Sequence, residues 1–153
     1  MKRDQRVMKV LQRAVFVCIL AVVALPIAAQ TETQPPAPYQ PKFPGDPARS
    51  ESEAKALGYM RTVLRAQREY KKKNDRYATS LLALVHTGSF TRRMAQTDRG
   101  DYTVGFKSHK DGFDLTLTPK ELAPDRRSFF ADEHMDIHAD DTKAADEKSP
   151  KIK

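Results

Sequence analysis

Residues 50–74 read SESEAKALGYMRTVLRAQREYKKKN. Ala56, Leu57, Met60, Val63, Leu64, Gln67 and Tyr70 recur at spacings of three and four, which places them on one face of a helix. Ser50-Glu51-Ser52-Glu53 has the form of a capping box, with Ser50 as N-cap and Glu53 at the third helical position. Arg61, Arg65, Arg68 and Lys72 fall largely on other faces. The run Lys71-Lys72-Lys73-Asn74 suits the negative end of a helix dipole and marks the end of the element. A helix of this length with one apolar stripe needs a second layer to cover it.

That layer is legible further on. Asn74–Ser80 reads as a turn, with Thr79 or Ser80 able to cap a short helix over Leu81–Val85 before Gly88. Residues 91–101 read as a loop. Tyr102–Phe106 and Phe113–Thr118 alternate, putting Tyr102, Val104 and Phe106, and then Phe113, Leu115 and Leu117, on one face. Between them stands Lys110-Asp111-Gly112, a hairpin signal. Ser128–Ala131 and Asp136–His138 read as further strand material. The expected fold is α+β: one long N-terminal helix packed on a small antiparallel sheet of three to four strands, with disordered ends. Expected in the core are Leu57, Met60, Val63, Leu64, Tyr70, Tyr77, Leu81, Leu84, Tyr102, Val104, Leu115, Leu117, Phe129 and Ile137. From 140 to 153 the chain is charged and poor in apolar residues, so a disordered tail is expected there.

Upstream of the helix the composition changes twice. Residues 30–49, QTETQPPAPYQPKFPGDPAR, hold six prolines and read as a semi-stiff spacer. Residues 1–29 begin with Lys2, Arg3, Arg6, Lys9 and Arg13, continue into the uncharged run Ala14–Ile27, and exit through Ala28-Ala29-Gln30. This is the layout of a secretory signal, with cleavage expected between Ala29 and Gln30. The apolar run is 14 residues, short of the roughly 20 that span a bilayer. Retention as an N-terminal membrane anchor is the rival reading, and only then is membrane contact expected. Either reading exports the domain, as a periplasmic or secreted protein or as one held at the inner membrane with its head outside the cytoplasm. The expected domain runs from 50 to 139.

The net charge of the whole chain is +7. Without residues 1–29, which carry five bases and Asp4, it is +3. Residues 50–100 are net basic and residues 101–153 net acidic, a polarity that suits an acidic partner or a head-to-tail contact. Export argues against nucleic acid as that partner. Cys18, in the apolar run, is the single cysteine, so the exported part is built without disulfides.

The helix end QREYKKKNDRYATSLLAL, the pair YTVGF and FDLTLTP, and the closing RRSFFADEHMDIH follow one another in the order and spacing of a known group. Over about residues 52–139 the chain resembles the globular heads of type IV pilins and type II secretion pseudopilins. Arg76–Leu81 and Arg127–Asp132, with Ile137, carry the similarity. The resemblance implies the same head fold, with residues 133–136 forming a hairpin turn. The prepilin pattern is missing: no glycine precedes the apolar run, no glutamate follows its start, and prolines separate it from the head helix. A filament stem is therefore not expected, and the exported chain is expected to be a monomer or weak dimer.

Chemistry is sparsely signalled. There is no nucleophile motif, no phosphate-cradling glycine loop and no exported cysteine, so no catalytic residue and no cofactor are expected. The candidate metal ligands are His134, Asp136 and His138, which with Asp140 would share a face of a straight strand. The hairpin turn implied by the resemblance divides them, so no metal is expected. Tyr59, Tyr70, Tyr77, Phe90 and Phe106 read as core and core-edge packing. The expected function is a non-enzymatic interaction module of the cell envelope, associated with a pilus or secretion assembly and bound to an envelope protein. The alternative is a periplasmic metal- or small-ligand-binding protein using His134 and His138.

Overall fold

In a computed structural model, residues 38–152 are described. The helix, α1, spans Glu51–Asn74. Ser50 is its N-cap in extended conformation, and its Oγ accepts from Glu53 N–H at 3.2 Å. At the other end Asp75 takes a left-handed conformation (φ 56) and its N–H donates to Lys71 O, closing the last turn. Ala56, Leu57, Met60, Val63, Leu64 and Gln67 are all buried, so the three-four spacing does define the packed face.

Five strands follow: β1 (Asp98–Arg99), β2 (Tyr102–Ser108), β3 (Phe113–Pro119), β4 (Ser128–Ala131) and β5 (Ile137–Asp140). They form one sheet in sequence order, each pair antiparallel. Short connections between successive strands leave this meander as the simplest path. Val104 faces Leu117 and Phe106 faces Leu115 across β2–β3. Tyr102 stacks on Phe129 at 5.9 Å and Phe106 on Phe113 at 5.8 Å. These side chains, Leu57, Met60 and Val63 of α1, and Leu84 and Phe90 from the intervening segment make one core. Of the expected core residues, Tyr70, Tyr77 and Ile137 are only partly buried at its margin. Tyr59, with Phe90, is buried; burial pushes the phenols of Tyr59 and Tyr102 above their ordinary value.

The α+β class holds, but the sheet has five strands rather than three or four. The extra one, β1, lies inside the expected loop 91–101. Two residues are too few to show alternation, and β1 exists because Gly100 (φ 65) turns the chain back onto β2. The expected short helix over 81–85 is a single 3-10 turn, Leu82–Leu84, with Ser80 Oγ accepting from Ala83 N–H at 3.1 Å. The β2–β3 connection is a four-residue loop, closed by His109 N–H donating to Gly112 O at 3.1 Å. The Glu133 carboxylate and the His109 ring pack close against Gly112, so a Cβ there would make these two side chains shift.

Both expected domain limits move outward. The spacer expected over 30–49 is folded over its described part. Asp46 accepts from Tyr39 OH at 2.7 Å, Lys42 N–H at 3.2 Å and Ala48 N–H at 3.1 Å, and Ala48 is buried. These bonds, the Tyr39 hydroxyl first, hold the Asp46 carboxyl below its ordinary value. The tail expected to be disordered from 140 instead returns to the sheet. Ala139 N–H donates to Pro150 O and Ile152 N–H to Ile137 O, both at 2.9 Å. Ser128 Oγ donates to Lys143 O, and Ala145 and Ser149 are buried. Ser128, Phe130 and His138 share the sheet face turned away from the core, and the tail supplies their cover. The tail folds because Asp140 and Asp146 satisfy its turns: Asp140 accepts from Thr142 N–H at 2.9 Å and Asp146 from Lys148 N–H at 2.9 Å. Local side-chain bonds of this kind organise chain that has little apolar surface to bury.

Candidate interaction surface

The chain crosses from β4 to β5 through Asp132–Asp136, where Met135 takes a left-handed conformation (φ 67) and its N–H donates to Asp132 O. His134 is exposed in this turn and its N–H donates to Asp132 Oδ1 at 2.9 Å. Asp136 closes the turn, and its carboxylate accepts from Lys151 Nζ at 2.6 Å. That bond holds the Asp136 carboxyl below its ordinary value. His138 is buried on β5 and donates from Nδ1 to Ser149 O at 2.6 Å, because a carbonyl can only accept. Asp140 is committed to the tail turn.

His134, Asp136 and His138 do line one open depression, together with Asp132, Glu147, Lys148 and Lys151. It brings them near one another without converging them: among the described residues no three His, Cys, Asp or Glu side chains gather as metal ligands do. An ammonium already sits on Asp136. The expected cleavage point, Ala29 and Gln30, lies outside the described residues. No helix among the described residues is long and apolar enough to cross a membrane.

Two sets of ionic groups mark the domain. Glu53 is fully buried and meets Arg127 in a two-pronged pair, Nε to Oε1 at 3.0 Å and Nη2 to Oε2 at 2.8 Å. Glu53 also accepts from Arg127 N–H at 2.8 Å and Arg49 N–H at 2.9 Å. Every lone pair direction of the carboxylate is thus used, which is what a buried charge requires. The bond to Glu53 raises Arg127 above the usual guanidinium value. This pair ties the start of α1 to β4 and is structural.

The second set is an ordered row on the surface, among other unpaired cations such as Arg76 and Lys107. Arg61, Arg65 and Arg68 follow one another at i, i+4 and i+7, one stripe of α1. They rim a groove of about 360 Å³ whose floor and far wall are Leu64, Met135, Asp136, Ile137 and Ile152. Among the described residues no carboxylate pairs with any of the three arginines. Asp136, the acid in the groove wall, is taken by Lys151. Arg61 lies 6.0 Å from the ring centre of Phe43, one of the few large apolar side chains left exposed. Such an arrangement can hold carboxylates along its rim and an aliphatic group on its floor. Sequence reading had put these arginines merely off the packed face. Their shared spacing was visible, but the floor comes from β5 and the chain end, which the expected disordered tail excluded.

A second cationic cleft lies at the β1 end of the helix, lined by Lys55, Tyr59, Arg93, Gln96, Asp98 and Arg99. There Arg99 stacks over the Tyr59 ring at 4.3 Å and donates to Arg93 O, so its cation already has a place in the fold. No protein-family model, curated protein or solved structure matches this chain.

Proposed function

We propose that this chain is an exported, non-enzymatic protein-interaction module of the cell envelope, with a head of the type IV pilin and pseudopilin kind. The observation that carries the interaction role is the row Arg61, Arg65 and Arg68, which forms no salt bridge among the described residues and lines a groove with apolar side chains. Asp136, the acid of the groove wall, is neutralised by Lys151, so the groove presents net positive charge beside apolar side chains. A row kept uncompensated beside apolar surface is what a partner of opposite charge would complete. The long helix on an antiparallel meander accords with the pilin-like reading, and the residues 1–29 that read as a secretory signal supply export. The test is recovery of the tagged full chain from its own envelope fraction. One specific envelope protein should co-purify in stoichiometric amount; recovery of the chain alone, from membranes solubilised under mild conditions, contradicts the proposal.

A second reading rests on the depression that gathers His134, Asp136 and His138. In that reading a divalent ion displaces Lys151 from Asp136. Zinc titration by equilibrium dialysis separates the two: one zinc retained per chain at micromolar free metal supports the site, and no retained zinc removes the metal reading.

A further inference from the structure

Resting on that interaction reading, we propose that the groove along Arg61, Arg65 and Arg68 seats an acidic peptide segment with aliphatic side chains, presented by a different protein. Along a helix axis, residues four and three apart are separated by about 6 Å and about 4.5 Å. In an extended peptide, carboxylates two residues apart stand about 7 Å apart, so acids at alternate positions meet neighbouring guanidinium groups within the reach of these long side chains. Each guanidinium offers a planar fork to a carboxylate, the geometry that makes arginine rather than lysine the better reader of acids. Between the acids, an aliphatic side chain finds Leu64, Met135, Ile137 and Ile152. The exposed ring of Phe43 lies 6.0 Å from the Arg61 guanidinium, beside the groove.

Three features of the groove sharpen the choice of occupant. Asp136, which would repel an acidic visitor, carries the Lys151 ammonium at 2.6 Å. The β5 groups that strand addition would use, Ala139 N–H and Ile137 O, are already bonded to Pro150 and Ile152. Recognition therefore runs through side chains, not through a backbone ladder. The lining comes from α1 on one side and from the β4–β5 turn, β5 and Ile152 on the other, a cleft between elements that suits a peptide segment.

The test uses the purified full chain and a fluorescein-labelled peptide Glu-Leu-Glu-Leu-Glu, with Gln-Leu-Gln-Leu-Gln as control, read by anisotropy. At about 50 mM salt the acidic peptide should bind saturably and more weakly as salt rises, and the amide peptide should not bind. Arg65→Glu with Arg68→Glu should weaken binding about tenfold or more, and Arg65→Gln alone should weaken it less. Arg92→Gln, which removes an exposed cation on the Arg92–Ala95 turn that does not line the groove, should leave it within about twofold. The replaced arginines are exposed, and an unaltered thermal midpoint verifies that the variants fold. Equal binding of the two peptides, or indifference to the arginine substitutions, overturns the proposal. So does stronger arginine-dependent binding to phosphatidylglycerol vesicles, or a dimer in light scattering that the same substitutions dissolve. Capture of one envelope protein equally by wild type and by the Arg65→Glu, Arg68→Glu variant overturns this groove as its seat and leaves the interaction reading standing.

Discussion

Glu53 has no exposed surface, yet it is a carboxylate in the first turn of a helix, where most acids face water. Its position was readable as the partner of Ser50 in a capping box, and Ser50 does accept from Glu53 N–H. Its other role was not readable, because Arg127 lies 74 residues away and nothing local marks the two as a pair. Gln67 is similar. It fell on the apolar stripe by spacing, and it is buried because its amide bonds both Ala78 N–H at 2.9 Å and Ala78 O at 3.2 Å, locking the turn after α1. Removing one member of a buried pair leaves a charge without compensation. Arg127→Met should therefore cost about 3–5 kcal/mol in urea unfolding. Arg127→Lys should cost less while still falling short of wild type, because an ammonium cannot span both carboxylate oxygens. Equal stability of Arg127→Met and wild type would show that the pair contributes nothing.

At the scale of elements, legibility followed length and periodicity. The helix and the β2–β3 hairpin each repeat their pattern over seven or more residues, and both were placed. β1 has two residues, and the tail has almost no apolar ones, so neither gave a periodic signal. What orders the tail is a set of carboxylates: Asp136 on Lys151, Asp140 on Thr142 and Lys143, and Asp146 on Lys143 and Lys148. All three carboxyls are held below their ordinary value of 3.8. Groups of this kind stabilise the fold above the unfolded value and lose that contribution as pH falls through the folded one. A chain ending at Asp140 should therefore have a lower urea midpoint than the full chain at pH 7. The gap should narrow below about pH 4, where the tail loses its anchors. A gap that stays constant down to about pH 2.5 would mean that the tail is held by packing alone.

At the scale of the whole molecule, sequence composition foretold a basic half and an acidic half, and the fold gives the basic half a definite form. The arginines of α1 line the groove with residues of the β4–β5 turn, β5 and Ile152, so the C-terminal segment completes its apolar side. The alternation of strands and the helix period were sufficient to infer the class of fold. The groove was not, because it joins elements that are distant in sequence and one of them was read as disordered. The central claim is that the groove meets another protein where the chain works. Site-specific photo-crosslinking in the producing cells tests it most directly, with the reactive side chain at Arg65 and, outside the groove, at the exposed Leu122. Position 65 should give one discrete adduct with a second envelope protein and position 122 none. No adduct from position 65, or a ladder of the chain joined to itself, would contradict the account.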